Sequence, residues 1–490
     1  MANLPLEKLI KSLSQGELRA FSLSIKKEGN PSYYELFNAI RTDKYKKQKK
    51  DNNETQRRNY LYNAILDSLL NQAKTIDTQI AKGLHQAEIL YNRHLEKEAW
   101  KVISKAEKLA QKHERFGYII QILEWKKTIG FRLESFSTQD YRDTSKQETE
   151  TIEKYLNYLK AAGNYNELLI RKKKEGYVYE EDKLPDASLF DDIILDDNLP
   201  KRTLYYHRMA QAVRHCLVQD VQSQYQVTKL IMKDAAVIIE PNECMLAYFE
   251  HLTSCICAGE FEELLTTLAK LKTDIKKGKF GNSKDIIVKL FYYSSNYEIM
   301  ALNYLGDKNL LQLKIKEVEL GMKKMGDKLS TEMKLVIFSA LKVGHYFLGQ
   351  EEESKKYLNS ILDNDQVNLR KDISQSALFF NLLICTDENK VEEMEATLKT
   401  ISLQTDLNRP QYQFEKDLFT IFSQFANDKL DKPSLYTSII NSYNNIAQEL
   451  PSGFKYTENY YPYFLWAFSR KNHIDIMVSS KNIHQKYFKN

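Results

Sequence analysis

Ala162-Gly163-Asn164-Tyr165-Asn166-Glu167-Leu168-Leu169 returns in nearly the same words at Ala258-Gly259-Glu260-Phe261-Glu262-Glu263-Leu264-Leu265. The pattern fits a turn between two helices. Glycine takes the left-handed conformation that closes one helix, a polar residue starts the next, and Glu-Leu-Leu opens its buried face. Weaker copies stand at Leu305-Gly306-Asp307 and Leu348-Gly349-Gln350, and degenerate ones without glycine near Gln219-Asp220, Asp387-Glu388 and Asn427-Asp428. With Gln219, Gly259, Gly306, Gly349, Asp387 and Asp428 as markers, the steps are 40, 47, 43, 38 and 41 residues. Each step holds two helices and two turns. A helical hairpin cannot bury its apolar face alone, so neighbours must stack and share a core. The expected fold is therefore all-α, an α-solenoid of hairpins over residues 201–490, with the aromatic run Tyr460, Tyr461, Tyr463, Phe464 and Trp466 read as its C-terminal cap.

Composition agrees with this reading. Over 490 residues there are only 16 Gly and 9 Pro, too few for the turn every eight to twelve residues or so that an all-β chain needs. Charged residues make up 28% and nearly cancel, at a formal +5, while 31 Tyr and 22 Phe argue against wholesale disorder. The opening Met-Ala-Asn-Leu-Pro-Leu-Glu-Lys has no apolar segment of signal-peptide length. No window approaches the ~18 apolar residues of a membrane span. The five cysteines, Cys216, Cys244, Cys255, Cys257 and Cys385, are too few and too unevenly spaced for a disulfide framework. A soluble cytoplasmic protein with no membrane partner is expected.

Upstream of the repeats, residues 1–72 read as a small helical module, compatible with a helix-turn-helix-like unit. Ser14 and Glu17 have the spacing of a capping box, and a helix is expected from about Gln15 to Lys27. Another follows Asn30-Pro31-Ser32, with Tyr34, Leu36, Phe37 and Ile40 on one side. A third starts near Thr55 and carries Leu61, Ala64, Ile65 and Leu69. Residues 73–178 hold further amphipathic helices, with Ala99, Val102, Ile103, Ala106, Leu109 and Ala110 forming one stripe. The stretch 179–200 breaks the rhythm: eight acids face one lysine between Tyr179 and Asp197, with Pro185 inside it and Pro200 at its end. It reads as an acidic loop between the N-terminal half and the regular repeats.

The repeat word, small-Gly-x-aromatic-x-Glu-Leu-Leu, resembles that of the tetratricopeptide superfamily, whose repeat is about 34 residues. The steps here are longer and the glycine is often replaced. Leu9-Ile10-Lys11-Ser12-Leu13-Ser14, Glu17-Leu18-Arg19-Ala20-Phe21 and Asn59-Tyr60-Leu61-Tyr62-Asn63 resemble the opening of a family of uncharacterised cytoplasmic helical proteins of the Bacteroidota. There a compact helical region precedes degenerate tetratricopeptide-like repeats. The likeness is specific only over the first seventy residues, and it implies a fold and no activity.

Phosphate-binding glycine loops, G-x-S-x-G, H-E-x-x-H and paired C-x-x-C are absent from the sequence. No catalytic residue and no cofactor are assigned, and the chain reads as non-enzymatic. Cys244, His251 and Cys255, at i, i+7 and i+11, would share one helix face, but a buried stripe with cysteine as a small hydrophobe explains them equally well. No metal is assigned. Between Arg41 and Arg58 eight basic residues, Arg41, Lys44, Lys46, Lys47, Lys49, Lys50, Arg57 and Arg58, stand against three acids. They are the candidate contacts to an anion or to nucleic acid. Function is thus expected to be that of a scaffold or adaptor binding a protein or peptide through a helical-repeat surface. The alternative is a cytoplasmic regulator whose N-terminal module touches nucleic acid while the solenoid senses a peptide or protein.

Overall fold

The structure, a computed structural model, describes residues 4–27, 31–42, 52–72, 75–175, 199–218, 220–234, 241–280, 284–364, 366, 370–404, 413–449 and 461–488. Among them the chain is all-helical, with 22 α-helices and no strand. It divides into two compact units, Met1–Asn157 and Tyr158–Asn490. The division falls inside one helix, α8, upstream of the acidic stretch at 179–200; residues 176–198 lie outside the described residues.

The first unit opens with α1 (Leu4–Ser12), α2 (Gln15–Lys27), α3 (Pro31–Arg41) and α4 (Asn52–Gln72). The capping box forms: the Ser14 amide donates to Glu17 Oε2 at 2.6 Å and the Glu17 amide to Ser14 Oγ at 3.3 Å. Phe21, Phe37, Ile40, Leu61 and Ile65 meet in one small core with Leu6 and Ile10. Next come α5 (Ile76–Tyr91), α6 (Glu96–Lys112) and α7 (Phe116–Gly130), then α8 (Thr138–Glu175). The α6 stripe is buried at Ala99, Ile103, Ala106 and Ala110. Its one buried carboxylate, Glu107, accepts from Lys126 at 2.9 Å and from Gln147 at 3.2 Å, so the charge is compensated.

The word at 162–169 does not make a turn. Gly163 lies inside α8, and Ala161, Tyr165 and Leu168 are all buried along one side of it. The reason is phase: those three positions, at i, i+4 and i+7, keep one helical stripe running straight through the glycine. At Gly259 the phase breaks. Leu252, Cys255 and Ile256 form one buried stripe, whereas Phe261, Leu264 and Leu268 belong to another, and Gly259 takes φ +74° between them.

The second unit contains α9 (Lys201–Leu217), α10 (Val221–Asp234), α11 (Pro241–Ala258), α12 (Phe261–Lys276), α13 (Lys284–Leu305), α14 (Lys308–Met325), α15 (Thr331–Phe347), α16 (Glu351–Leu362), α17 (Lys371–Glu388), α18 (Val391–Gln404), α19 (Gln413–Ala426), α20 (Lys432–Glu449), α21 (Tyr461–Asn472) and α22 (Ile476–Phe488). Successive helices pack against each other. From α11 onward the pairs close on a residue with positive φ: Gly259, Gly306, Gly349, Asn389, Asp428 and His473. Each time the next amide reaches back across the turn, as Glu260 does to the Cys255 carbonyl at 2.8 Å and Lys390 to that of Cys385 at 2.9 Å. This bond satisfies a carbonyl that the helix end leaves open. The first helices of neighbouring pairs, α11, α13, α15, α17 and α19, also touch one another. One continuous core runs from Tyr225 to Ile483.

The last pair does more than cap its neighbour. α21 is buried from Tyr461 through Ala467, and α22 packs on α13. Ser480 donates to the Tyr304 carbonyl at 3.0 Å across 176 residues of sequence. Asp387, at the end of α17, accepts from the Trp466 indole at 3.2 Å, from Arg470 through two nitrogens at 3.1 and 2.7 Å, and from the Tyr346 hydroxyl. The final hairpin therefore lies against the row of first helices. Tyr292, Tyr293 and Tyr297 are packing residues as well: Tyr293 stacks on Phe249 at 3.8 Å and Tyr297 bonds Thr253 at 2.9 Å.

Candidate functional site

The basic residues of the N-terminal module fall into three groups. Lys44, Lys46, Lys47, Lys49 and Lys50 lie outside the described residues. Arg41 is exposed at the end of α3, its guanidinium 6.0 Å from the Phe37 ring centre, and Arg57 is half-buried on α4. Arg58 is not a surface contact at all: it is buried and ion-paired with Glu7 of α1. The assignment of Arg58 to an anion or nucleic-acid surface is corrected accordingly. Its place on the inner side of α4, beside Leu61 and Ile65, dictates a packing role.

The Cys244, His251, Cys255 set does not assemble either. Eleven helical residues span about 16 Å, so Cys244 sits three turns from Cys255 even on a shared face. His251 and Cys255, one turn apart on α11, do meet: Cys255 Sγ is 3.6 Å from His251 Nε2. The third group comes from α12, where Glu263 Oε1 lies 3.1 Å from the same nitrogen. The turn at Gly259 places the first turn of α12 beside α11, and this is the only trace the sequence holds of Glu263's role.

His251 and Cys255 are buried and Glu263 is half-buried. On the far side of the ring, His251 Nδ1 is 3.0 Å from Thr228 Oγ1, which also contacts Ser254 Oγ at 2.6 Å and donates toward the Tyr225 carbonyl at 3.0 Å. The other Glu263 oxygen accepts from the Tyr225 hydroxyl and lies 3.5 Å from Lys229 Nζ. Burial lowers the pKa of His251 despite the opposing pull of Glu263. Burial would raise the Glu263 carboxyl, but the Tyr225 hydroxyl, Lys229 and His251 outweigh it and hold the group below the usual carboxylate range. Burial pushes the Cys255 thiol up, and the neighbouring carboxylates push it further.

A related node joins α14, α15 and α16. His345 Nε2 is 3.3 Å from Glu319 Oε1, its Nδ1 is 2.7 Å from Gln350, and Tyr357 donates to Glu319 at 2.7 Å. In both nodes a tyrosine ring stacks on the histidine. Each node thus ties the second helices of two neighbouring pairs through a histidine on the first helix between them.

Two further features line the interior of the second unit. Lys342 on α15 is fully buried, with Nζ 4.4 Å from the Phe380 ring centre and no hydrogen-bond partner among the described residues. Burial alone brings its amine down to about 7. Between α13, α15, α17 and α21 lies a cavity of about 60 Å³, lined in part by Asn296, Asn303, Ser339 and Ser376. The Asn303 side-chain oxygen is buried there without a described partner, and the space is polar enough to hold water.

No described helix is long and apolar enough to cross a membrane. In comparisons with protein-family models, curated proteins and solved structures, none matches the chain.

Proposed function

We propose that this chain is a non-catalytic cytoplasmic scaffold or adaptor, built as a tetratricopeptide-like α-solenoid, that binds a protein or peptide through the outer helices of the stack. Three exposed leucines on one face of α14 carry the reading. Leu310, Leu313 and Leu320 are 51, 64 and 58% accessible, and their i, i+3 and i+10 spacing aligns them along one side of a second helix whose other side is in the core. Single exposed leucines are ordinary, whereas an aligned set marks a surface that another apolar surface covers. The row of first helices is the other surface a solenoid offers, and here the final hairpin lies on it. That favours the outer helices.

The test uses the full chain carrying Leu310→Ser, Leu313→Ser and Leu320→Ser together, with Leu403→Ser, another exposed leucine, as control. Exposed substitutions of this kind change stability little. Affinity capture from the native cytosol is expected to lose its main partner with the triple variant and to keep it with the control. An identical set of captured proteins from both would overturn the outer-face assignment.

A further inference from the structure

We propose that His251, Cys255 and Glu263 form a three-ligand site for a zinc-class divalent cation that pins α11 to α12 and, through Thr228, to α10. The three ligand atoms lie within 4.8 Å of one another. With Zn–N and Zn–O near 2.1 Å and Zn–S near 2.3 Å, a tetrahedral ion requires N···O of about 3.4 Å and N···S of about 3.6 Å. The structure has 3.1 and 3.6 Å. Two of the three edges of the coordination shell are therefore close to those an ion requires, the third, from Cys255 Sγ to the Glu263 carboxylate, lies within 4.8 Å, and movement of the half-buried Glu263 side chain closes it on the ion.

The donor set selects the metal. An imidazole and a thiolate beside one carboxylate suit zinc and are poor partners for magnesium or calcium, which take oxygen donors. The surroundings are those of a ligated histidine: Nδ1 is held by the Thr228 hydroxyl, which fixes the ring and aims Nε2 at Cys255 and Glu263. Tyr225 and Lys229 occupy the other Glu263 oxygen, leaving Oε1 for the ion. The ion replaces the Cys255 thiol proton, which leaves to solvent, so thiolate and carboxylate together neutralise the dication. Three protein ligands leave a fourth position for water.

Cobalt(II) tests this directly, because a bound thiolate gives a charge-transfer absorption in the near ultraviolet. The chelator-treated full-length protein is titrated with cobalt and then with zinc. The expected result is one equivalent of the thiolate band, displaced by zinc, abolished in Cys255→Ser and retained in Cys244→Ser. Thr228→Val keeps the band but needs roughly 10- to 100-fold more metal. Helicity by circular dichroism accompanies each variant. Should Cys255→Ser lose its helices, Glu263→Gln, at a half-buried position, takes its place and is expected to weaken binding at least tenfold. Absence of the band in the unaltered chain, its survival in Cys255→Ser, its loss in Cys244→Ser, or unchanged affinity in Glu263→Gln would each overturn the site.

Discussion

Gly306 and Gly349 occupy the same kind of turn at nearly the same φ, +68° and +72°, yet their surroundings differ. A Cβ at Gly349 would meet nothing within 4 Å, whereas one at Gly306 would collide with the Met477 carbonyl and come within 2.7 Å of Lys481 Cβ on α22. Gly349→Ala is expected to cost only the left-handed strain, roughly 1–2 kcal/mol, and Gly306→Ala a further ~1–3 kcal/mol from overpacking. Urea midpoints of the two variants measure the difference; equal losses would mean that α22 does not press on the turn. Glycine also sets how legible the turns were. Gly259, Gly306 and Gly349 could be read because only glycine adopts their conformation freely. His94, Glu114 and His473 hold the same conformation without it, and nothing in their side chains announces it. Gly163 is the opposite case: the same word makes no turn there, because Ala161, Tyr165 and Leu168 keep one helical phase through it.

Lys342 belongs to this scale too. Its amine titrates near 7 in the fold and about 10.4 when unfolded. The unfolded chain therefore binds more protons between those values, so this residue's contribution to stability is complete above about 10.4 and is lost as pH falls toward 7. Lys342→Met is expected to stabilise the fold at pH 7 by on the order of 2 kcal/mol and to flatten the rise in stability between pH 7 and 10. Thermal melts across that range read it, and an unchanged slope would show that the amine is solvated.

At the scale of the helix, the most consequential contact is that of α21 with the end of α17. Asp387 was legible only as a degenerate turn marker. Its work as acceptor for Tyr346, Trp466 and Arg470 was not, since the partners lie 41, 79 and 83 residues away and share no local pattern. Asp387→Ala leaves the buried indole N–H and the Arg470 charge without their acceptor. A loss of ~3 kcal/mol is expected, at the low end for a broken buried pair because Arg470 is partly exposed. Limited proteolysis should then cut within 461–488 before the rest of the chain; uniform resistance would show that other contacts hold α21. The elements read most accurately were those with local causes. The capping box fixed the start of α2, and the 3.6-residue stripes fixed α3, α4 and α6. Glu263 escaped because it joins His251 and Cys255 only once the Gly259 turn has folded.

At the scale of the second unit, the packing of successive helices was legible and the return of the last hairpin was not. A simple stack couples each hairpin to its neighbours alone. In the second unit, α22 returns to α13, so a contact invisible to periodicity joins elements separated by eight intervening helices among the described residues. Hydrogen exchange on the chain ended at Glu449, compared with the full chain, reads it most directly. Amides of α13, residues 284–305, are predicted to lose protection along with α17 and α20 while α9 and α10 keep theirs. Unchanged protection in α13, with the loss confined to α19 and α20, would contradict the closed stack.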